Sequence, residues 1–338
     1  MATFVRWFPR AALATAVMLV VASTAARPVH ARDELRALWV ERTSLTSPKS
    51  IDDIVAGAQQ NGFNTLLVQV RGRGDAYYLN GVEPRPASLL SQPAFDPLAD
   101  VITKGHVRGL AVHAWINVNL VAGTDVPPGH GHIVYRHPEW LMVPRQIADD
   151  LAALDPAGPE YLGRLMRYAR GHSTELEGLY LSPATSAAVE YTAGVVRDIV
   201  QRYDVDGVHF DYVRYPSDDF DYSRETLQVF GQSVTRFPDR WRRFRVDRLT
   251  ALLSELRRTV KAARPAAAVS AAIAADPAVA SARHLQDWNA WLNQGLLDVV
   301  CRQSEQALES VEATRRLGVG GTILSVGELG RAAYSPQF

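Results

Sequence analysis

Short apolar segments alternate with longer amphipathic segments along most of this 338-residue chain. The apolar segments predict seven strands, at 35–41, 65–71, 110–118, 206–211, 269–275, 296–300 and 322–326. The amphipathic segments predict helices at 51–60, 96–108, 186–203, 241–264, 283–293 and 305–317. Repeated β/α units of this kind predict a parallel sheet whose faces are covered by helices. This alternation constrains the fold more than any other feature of the sequence.

No glycine-rich dinucleotide fingerprint follows the first predicted strand, which argues against a Rossmann fold. We therefore predict an α/β protein of the (β/α)8 TIM-barrel type, in which residues 32–338 form a single domain. The stretch 119–185 after the third strand is too long for a turn, and we predict an insertion that shapes the functional face. A (β/α)8 barrel has eight strands, and only seven are predicted. Either one strand is not recognised from the sequence, or one β/α unit is absent from the C-terminal half.

The first 31 residues predict a secretory signal peptide. Arg6 and Arg10 give it a positive start, and an apolar run without charges follows at 11–26. This run is shorter than the roughly 20 residues that a membrane-spanning helix needs. We expect cleavage after a small residue such as Ala31. The mature protein would then be exported to the periplasm or the exterior without a membrane anchor.

Thirty-six basic and 36 acidic residues balance, so the chain has no formal net charge. Such a chain lacks the positive electrostatic field that attracts nucleic acid, and we predict no nucleic-acid partner.

The single cysteine, Cys301, cannot form an internal disulfide and follows an apolar run, so we expect a buried thiol. His130, His132 and His137 have no matching carboxylate or cysteine set nearby. We therefore predict neither a metal ion nor another cofactor.

Polar and aromatic side chains gather toward the C-terminal ends of the first four predicted strands. At alternating positions these are Trp39, Glu41, Gln69, Arg71, His113, Trp115, Asn117, His209 and Asp211. The intervening positions are apolar: Val40, Val70, Ala114, Ile116 and Phe210. Residues two apart share one face of a strand, and a strand packed on both faces should be almost entirely apolar. Because functional groups of parallel barrels lie at C-terminal strand ends, the pattern predicts a polar cleft there.

The residue types in this cleft suit carbohydrate chemistry, because cleaving a glycosidic bond needs two carboxyl groups. Asp211 is the predicted catalytic carboxylate, and Asp75 or Glu41 is its predicted partner. The groups predicted to bind the sugar and tune the acids are Trp39, Arg71, His113, Trp115, Asn117, His209, Arg214 and Tyr215. Among them, Arg71 is expected to orient Asp211 or Glu41.

Each candidate carboxylate also has a purely structural interpretation. Asp211 could hold its strand end by pairing with His209 or Arg214. Asp75 could cap a turn in the loop after the second strand, and Glu41 could be the structural partner of Arg71. The sequence pattern leaves these alternatives open.

Four segments resemble the glycosyl-hydrolase-like family 10: RALWVE at 36–41, LLVQVRGRGDAYY at 66–78, GLAVHAWINV at 109–118 and DGVHFDYVRYP at 206–216. The family's motifs fall on Gln69, Arg71, Asp75, His113, Trp115, Asn117 and Asp211. The resemblance implies a TIM-type barrel and a glycosidase acting on an envelope or extracellular polysaccharide, with peptidoglycan glycan as one candidate. Two alternatives stay open. One is a glycan-binding barrel that has lost turnover, and the other is a polysaccharide deacetylase, which would require a metal-binding Asp/His set that the sequence does not offer.

Overall fold

The structure is a computed structural model that describes residues 35–124, 129–274, 276–303 and 321–325. The predicted signal peptide, 1–31, and the helix predicted at 305–317 lie outside these residues. Within them, the chain adopts a mixed α/β fold built on a curled parallel sheet.

The parallel sheet has seven strands in the described part of the chain. With all strands numbered in chain order, they are β1 (Leu35–Val40), β2 (Thr65–Arg71), β3 (Ala111–Asn117), β6 (Gly207–Asp211), β7 (Ala268–Ala274), β8 (Val299–Gln303) and β9 (Gly321–Ser325). Their order across the sheet is β8–β7–β6–β3–β2–β1–β9, and each neighbouring pair is parallel. Two further strands, β4 (Leu120–Ala122) and β5 (Leu179–Tyr180), pair antiparallel outside this sheet. The seven predicted strands are confirmed, with boundaries that shift by up to three residues.

Helices follow most of these strands, as the β/α alternation predicts. They are α1 (Pro48–Gln60), α2 (Pro97–Val107), α3 (Ile133–Arg136), α4 (Ala148–Ala152), α5 (Pro159–Gly171), α6 (Ser186–Arg202), α7 (Arg224–Phe230), α8 (Pro238–Ala263) and α9 (Trp288–Asn293). Helix α1 begins after Ser47, whose side chain caps it, and ends before Gly62, which takes φ +73°. Glycine adopts this left-handed conformation without a steric penalty, so the Asn-Gly pair ends the helix where the sequence predicts.

The helix predicted at 283–293 differs from the observed structure. A π-helical turn at Val279–Arg283 comes first, and α9 starts only at Trp288. Between them Leu285 takes φ +56°, which a continuous right-handed helix cannot accommodate. Among all the helices in the described part of the chain, none combines the length and apolar character that a membrane-spanning segment needs.

The alternation along the strands separates two packing environments. Even-numbered strand positions such as Val40 and Phe210 belong to the large apolar core between the sheet and the helices. Odd-numbered positions form a second, smaller cluster of Ala37, Leu67 and Trp115, which spans β1, β2 and β3. The predicted polar residues of β3 and β6 share the odd phase, so they lie on the face that this smaller cluster occupies.

The stretch 119–185, predicted as an insertion, folds against the ends of β3 and β6. It contains β4 and β5 and the helices α3, α4 and α5. The N–H of Leu181 donates to the carbonyl of Asn119 over 2.8 Å, and the N–H of Val118 donates to the carbonyl of Asp211 over 2.7 Å. These backbone bonds bring the stretch 119–185 to the C-terminal ends of β3 and β6.

Candidate active site

Asp211 is the last residue of β6 and lies beside Asn117, the last residue of β3. Its side chain is buried, with an exposed fraction of 3%. Burial raises the pKa of the Asp211 carboxyl above its ordinary value, and the neighbouring Arg214 guanidinium opposes this rise. The net effect is a raised pKa, so Asp211 keeps its proton to a higher pH than an exposed aspartate. A general acid requires this property.

The residue after Asp211 is held in an unusual backbone conformation. Tyr212 takes φ +53°, and its N–H donates to the Oδ1 atom of Asp211 over 2.7 Å. A non-glycine residue in this region stores about 1–3 kcal/mol of strain, and such positions cluster at functional sites. The Tyr212 ring contacts two guanidinium groups, with Arg214 at 4.5 Å and Arg73 at 5.9 Å from its centroid. Both cations also act on the Asp211 carboxyl electrostatically.

Asn117 connects the ends of β2 and β3. Its Oδ1 atom accepts a hydrogen bond from the Trp115 indole N–H over 3.0 Å, and its Nδ2 donates to the Gly72 carbonyl over 2.8 Å. Gln69 also donates to the same Oδ1 atom over 3.4 Å. Three of the predicted residues thus form one network, which fixes the strand end beside Asp211.

The expected role of Arg71 as the group that orients Asp211 or Glu41 is wrong. Arg71 donates from Nε and Nη2 to the two carboxylate oxygens of Glu83, each over 2.7 Å. Its Nη1 donates to the carbonyls of Asn117 and Val118. The register of β2 shifts between Gln69 and Arg71, so the strict alternation that predicted its partner fails at this strand end. Arg71 is fully buried, and its hydrogen bonds stabilise the fold around the ends of β2 and β3.

The two candidate partner acids have different surroundings. Asp75 accepts backbone N–H bonds from Gly72 over 3.0 Å and from Arg73 over 2.9 Å, so it caps the loop after β2. Its other oxygen lies 3.9 Å from Nε of Arg42. Glu41 follows β1, is exposed, and accepts a 3.5 Å hydrogen bond from the Thr43 hydroxyl. The contacts of Asp75 therefore match its structural interpretation as the cap of a turn. Glu41 is exposed to solvent.

Aromatic and imidazole rings form the floor beneath Asp211. Trp39 stacks on Trp115 with 5.6 Å between the ring centroids, and His209 lies 6.0 Å from Trp39. Burial lowers the pKa of His209 to about 3 and the pKa of His113 to about 4. Both imidazoles are consequently neutral near pH 7, and they offer hydrogen bonds instead of positive charge. His209 bonds through Nδ1 to the Ser270 hydroxyl over 2.9 Å.

The other two predicted sugar-binding residues lie in the loop after β6, in different environments. Tyr215 is fully buried in the large core, and its hydroxyl donates to the Arg245 carbonyl over 3.2 Å, so it does not join the cluster around Asp211. Arg214 stays at the cluster, where its Nη2 donates to Oε1 of Glu177 over 2.6 Å. The predicted structural pairing of Asp211 with His209 is replaced by the bond of that histidine to Ser270.

The positions of the His, Cys, Asp and Glu side chains show whether a metal ion could be held. Within the part of the chain that the structure describes, three or more His, Cys, Asp or Glu side chains do not converge in a metal-binding arrangement. His132 is instead a loop residue whose Nε2 bonds to the Arg73 carbonyl over 2.6 Å. Cys301 is buried as predicted, and burial raises the pKa of its thiol.

The model of the Glycosyl hydrolase-like 10 family matches residues 34–315. The chain belongs to this family. The match covers the strand-end network, Asp211 and the stretch 119–185, and it agrees with the family resemblance of the four sequence segments.

Curated relatives are longer proteins. Glycosyl hydrolase YngK of Bacillus subtilis is 26% identical over 228 residues, which are 64% of this chain and 37% of that protein. Glycosyl hydrolase DigH of Escherichia coli is 26% identical over 277 residues, which are 72% of this chain and 55% of that protein. The chain therefore spans about half of these relatives or less.

Solved structures of glycoside hydrolases share the fold. The glycoside hydrolase domain of PgaB (BpsB) from Bordetella bronchiseptica superposes with a TM-score of 0.58 at 16% identity, covering 84% of this chain and 81% of that one. A β-galactosidase from Marinomonas ef1 superposes with a TM-score of 0.51 at 12% identity, covering 81% and 41% of the two chains. At these identities the likeness is one of fold.

The pattern of strand positions missed several residues of the cluster. Glu83, which holds Arg71, and Glu177, which holds Arg214, both come from loops that carry no periodic pattern. Arg73 and Tyr212 were within the quoted motifs, next to Asp75 and Asp211, but alternation assigns them to no face of a strand. Their only sequence signal is this adjacency.

Proposed function

We propose that this protein is a glycoside hydrolase in which Asp211 is the catalytic general acid. The observation that carries the proposal is the position of Asp211: a buried strand-end carboxyl with a raised pKa, flanked by Arg214 and Arg73. A protonated carboxyl donates its proton to the oxygen of the leaving sugar, and it can do so near neutral pH only when its pKa is raised. Membership of a glycosyl-hydrolase-like family supports the same reaction class.

The reaction needs a second carboxylate, which stays ionised and either attacks the sugar or activates water. Glu41 and Asp75 remain the proposed candidates at the ends of β1 and β2. The exposed position of Glu41 favours it, because both oxygens of Asp75 already face the loop and Arg42. A carboxyl separation of about 5 Å leads to retention of anomeric configuration, and about 6.5–9.5 Å leads to inversion.

The proposed substrate is a polysaccharide of the bacterial envelope or exterior, with peptidoglycan glycan as one candidate. We propose that residues 32–338 form a single TIM-type barrel, and that the protein is exported after loss of residues 1–31. The positive, apolar character of the N-terminal segment and the relationship to bacterial glycosyl hydrolases support this assignment. Trp39, Trp115, His113, His209 and Asn117 would line the floor on which the sugar rests.

The direct test compares the wild type with Asp211→Asn on defined bacterial glycans by measuring new reducing ends. We expect loss of about 10²–10⁴-fold in turnover, the usual contribution of a general acid. Asp218→Asn, an exposed change in the loop that follows β6, is the matched control and should retain activity. Unchanged turnover in Asp211→Asn would exclude it as the acid. Glycan binding without turnover by the wild type would favour the alternative of a non-catalytic binding barrel.

A further inference from the structure

Glu177 reaches the site from the stretch 119–185, two residues before β5. The next residue, Gly178, takes φ +155°, and a Cβ atom there would lie 1.7 Å from the Ala122 carbonyl oxygen. A side chain at position 178 is therefore impossible without moving β4 or β5. The close approach of the two strands fixes the backbone that carries Glu177.

Both oxygens of the Glu177 carboxylate have a partner. Oε1 accepts the 2.6 Å hydrogen bond from Nη2 of Arg214, and Oε2 accepts a 2.6 Å hydrogen bond from the Tyr180 hydroxyl. Burial works against the charge of Glu177, but Arg214 and Tyr180 outweigh it and lower the pKa of this carboxyl. Glu177 is thus an ionised, anchored partner of Arg214.

Arg214 faces two carboxyl groups with opposite tendencies. On one side it is ion-paired with Glu177, and on the other it lies among the charges that act on Asp211. Its guanidinium packs on the Tyr212 ring, 4.5 Å from the ring centroid. The Nε atom of Arg214 is buried without a hydrogen-bond partner among the described residues, so the guanidinium retains a donor.

We propose that Glu177 is a positioning residue of the active site, which holds Arg214 by an ion pair and thereby limits how strongly this cation stabilises the ionised form of Asp211. The proposal rests on the proposed function of Asp211 as a general acid. A cation bound only to Asp211 would hold it as a carboxylate, and a carboxylate cannot donate a proton. Sharing Arg214 with Glu177 keeps the cation near the substrate while it leaves Asp211 able to be protonated.

The other titratable and charged groups around these residues come from several elements. Asp211 is faced by Arg73 from the loop after β2, by Tyr212 beside it and by Cys301 from β8. Glu177 and Arg214 are faced by Tyr180 from β5 and by His284 before α9. Burial lowers the pKa of His284 to about 4, so it is neutral near pH 7. Arg73 is the other basic residue of this set, and it is left unchanged in the experiment.

The test follows the titration of Asp211 directly by ¹³C NMR of the carboxyl carbon, with Asp211→Asn identifying its signal. In Glu177→Gln we expect the proton affinity of Asp211 to fall about threefold or more, because Arg214 turns toward it. In Arg214→Gln we expect a rise of about tenfold, because the cation is lost. Glu175→Gln removes an equal charge from an exposed position two residues away and should leave the titration unchanged.

The double variant Glu177→Gln/Arg214→Gln decides whether Glu177 acts through Arg214. We expect it to titrate like Arg214→Gln alone. The proposal would be overturned if Glu177→Gln lowered the proton affinity of Asp211 equally in the wild type and in the Arg214→Gln variant. It would also be overturned if Glu177→Gln lowered that affinity in neither. Glu177→Asp, which keeps the charge, should restore most of the wild-type titration.

Turnover supplies the second measurement. If Asp211 is the acid, Glu177→Gln should move the alkaline limb of the pH–rate profile to lower pH, whereas a merely structural loss would reduce the rate without moving that limb. If the NMR titration shifts as expected and no glycan is cleaved, the positioning role holds and the hydrolase proposal fails. If glycans are cleaved and the titration does not shift, the hydrolase proposal holds and the positioning role fails.

Discussion

Two arginines at the strand ends are each held by a carboxylate from a loop, but the two pairs differ in their access to water. Arg71 and Glu83 have side-chain exposures of 0% and 1%, and Nη2 and Oε1 lie 2.7 Å apart. Arg214 and Glu177 are 2.6 Å apart, with exposures of 11% and 42%. A fully buried charge must have its partner, whereas a pair open to water contributes little to stability. The first pair therefore maintains the fold, and the second can respond to pH and to a ligand.

The neighbours of the two pairs show the same difference. Arg71 uses its remaining donors on the carbonyls of Asn117 and Val118, and Glu83 accepts a further 3.3 Å hydrogen bond from the Tyr191 hydroxyl. The pair is thus bonded to the end of β3 through Arg71 and to α6 through Glu83. The Arg214 pair instead stands next to Asp211 and keeps an N–H without a partner among the described residues. The Arg71–Glu83 pair thus stabilises the fold of the site, whereas the Arg214–Glu177 pair acts on the charge around Asp211.

The largest expected difference between the pairs is in stability. Glu83→Ala leaves the guanidinium of Arg71 buried and uncompensated, so we expect the free energy of unfolding to fall by about 3–5 kcal/mol. The measurement is urea denaturation at neutral pH. Glu177→Ala is the matched control, with an expected loss of about 1 kcal/mol or less, because Glu177 is 42% exposed and the freed Arg214 still has Asp211 as a nearby acid. Equal losses in the two variants would remove the distinction between the pairs.

A more conservative change tests the geometry of the buried pair. Arg71→Lys keeps the positive charge but cannot bond both oxygens of Glu83 together with the two carbonyls, so we expect a loss of about 1–3 kcal/mol. Arg214→Lys, measured in parallel by urea denaturation, should cost less, since its pair is partly solvated. A larger loss from Arg214→Lys would mean that the pair at β6 is the structural one.

The smallest effect concerns acid stability. The pKa of Glu177 is lowered in the folded protein, so its contribution to stability is complete above its unfolded pKa, about 4.3, and is lost as the pH falls through its folded pKa. The difference in unfolding free energy between wild type and Glu177→Gln should therefore be constant above about pH 5 and shrink below it. Its size should not exceed about 1 kcal/mol, because the side chain is 42% exposed. A difference that grows on acidification would contradict this assignment.

Much of the fold could be predicted from the sequence, because strands and helices leave periodic patterns. The seven parallel strands and the ends of α1 and α2 follow from apolar runs and from Gly62 and Gly109, which both take positive φ. The phase of the strands also predicted which side chains share the face of Trp115. The failures occurred where periodicity stops: Arg71 follows a register shift, and the helix predicted at 283–293 is interrupted at Leu285.

Part of the candidate site was equally accessible to the sequence. Alternation and the quoted motifs placed Asp211, Asn117 and Trp115 together, and the structure brings them side by side at the ends of β3 and β6. Tyr215, predicted as a sugar-binding aromatic residue of the same group, packs in the large core instead. Residues two positions apart share a face only within a strand, and β6 ends at Asp211. The alternation therefore does not extend to Tyr215.

The sequence by itself determined the β/α architecture, the face on which the polar residues lie and the acid at the end of β6. These features depend on local periodicity, which is written in consecutive residues. The tertiary structure decided which carboxylate holds each arginine, Glu83 for Arg71 and Glu177 for Arg214. It also decided the raised pKa of Asp211, since burial and nearby charge depend on what long loops bring into contact. Such contacts join residues far apart in the chain, and spacing along the sequence carries no record of them.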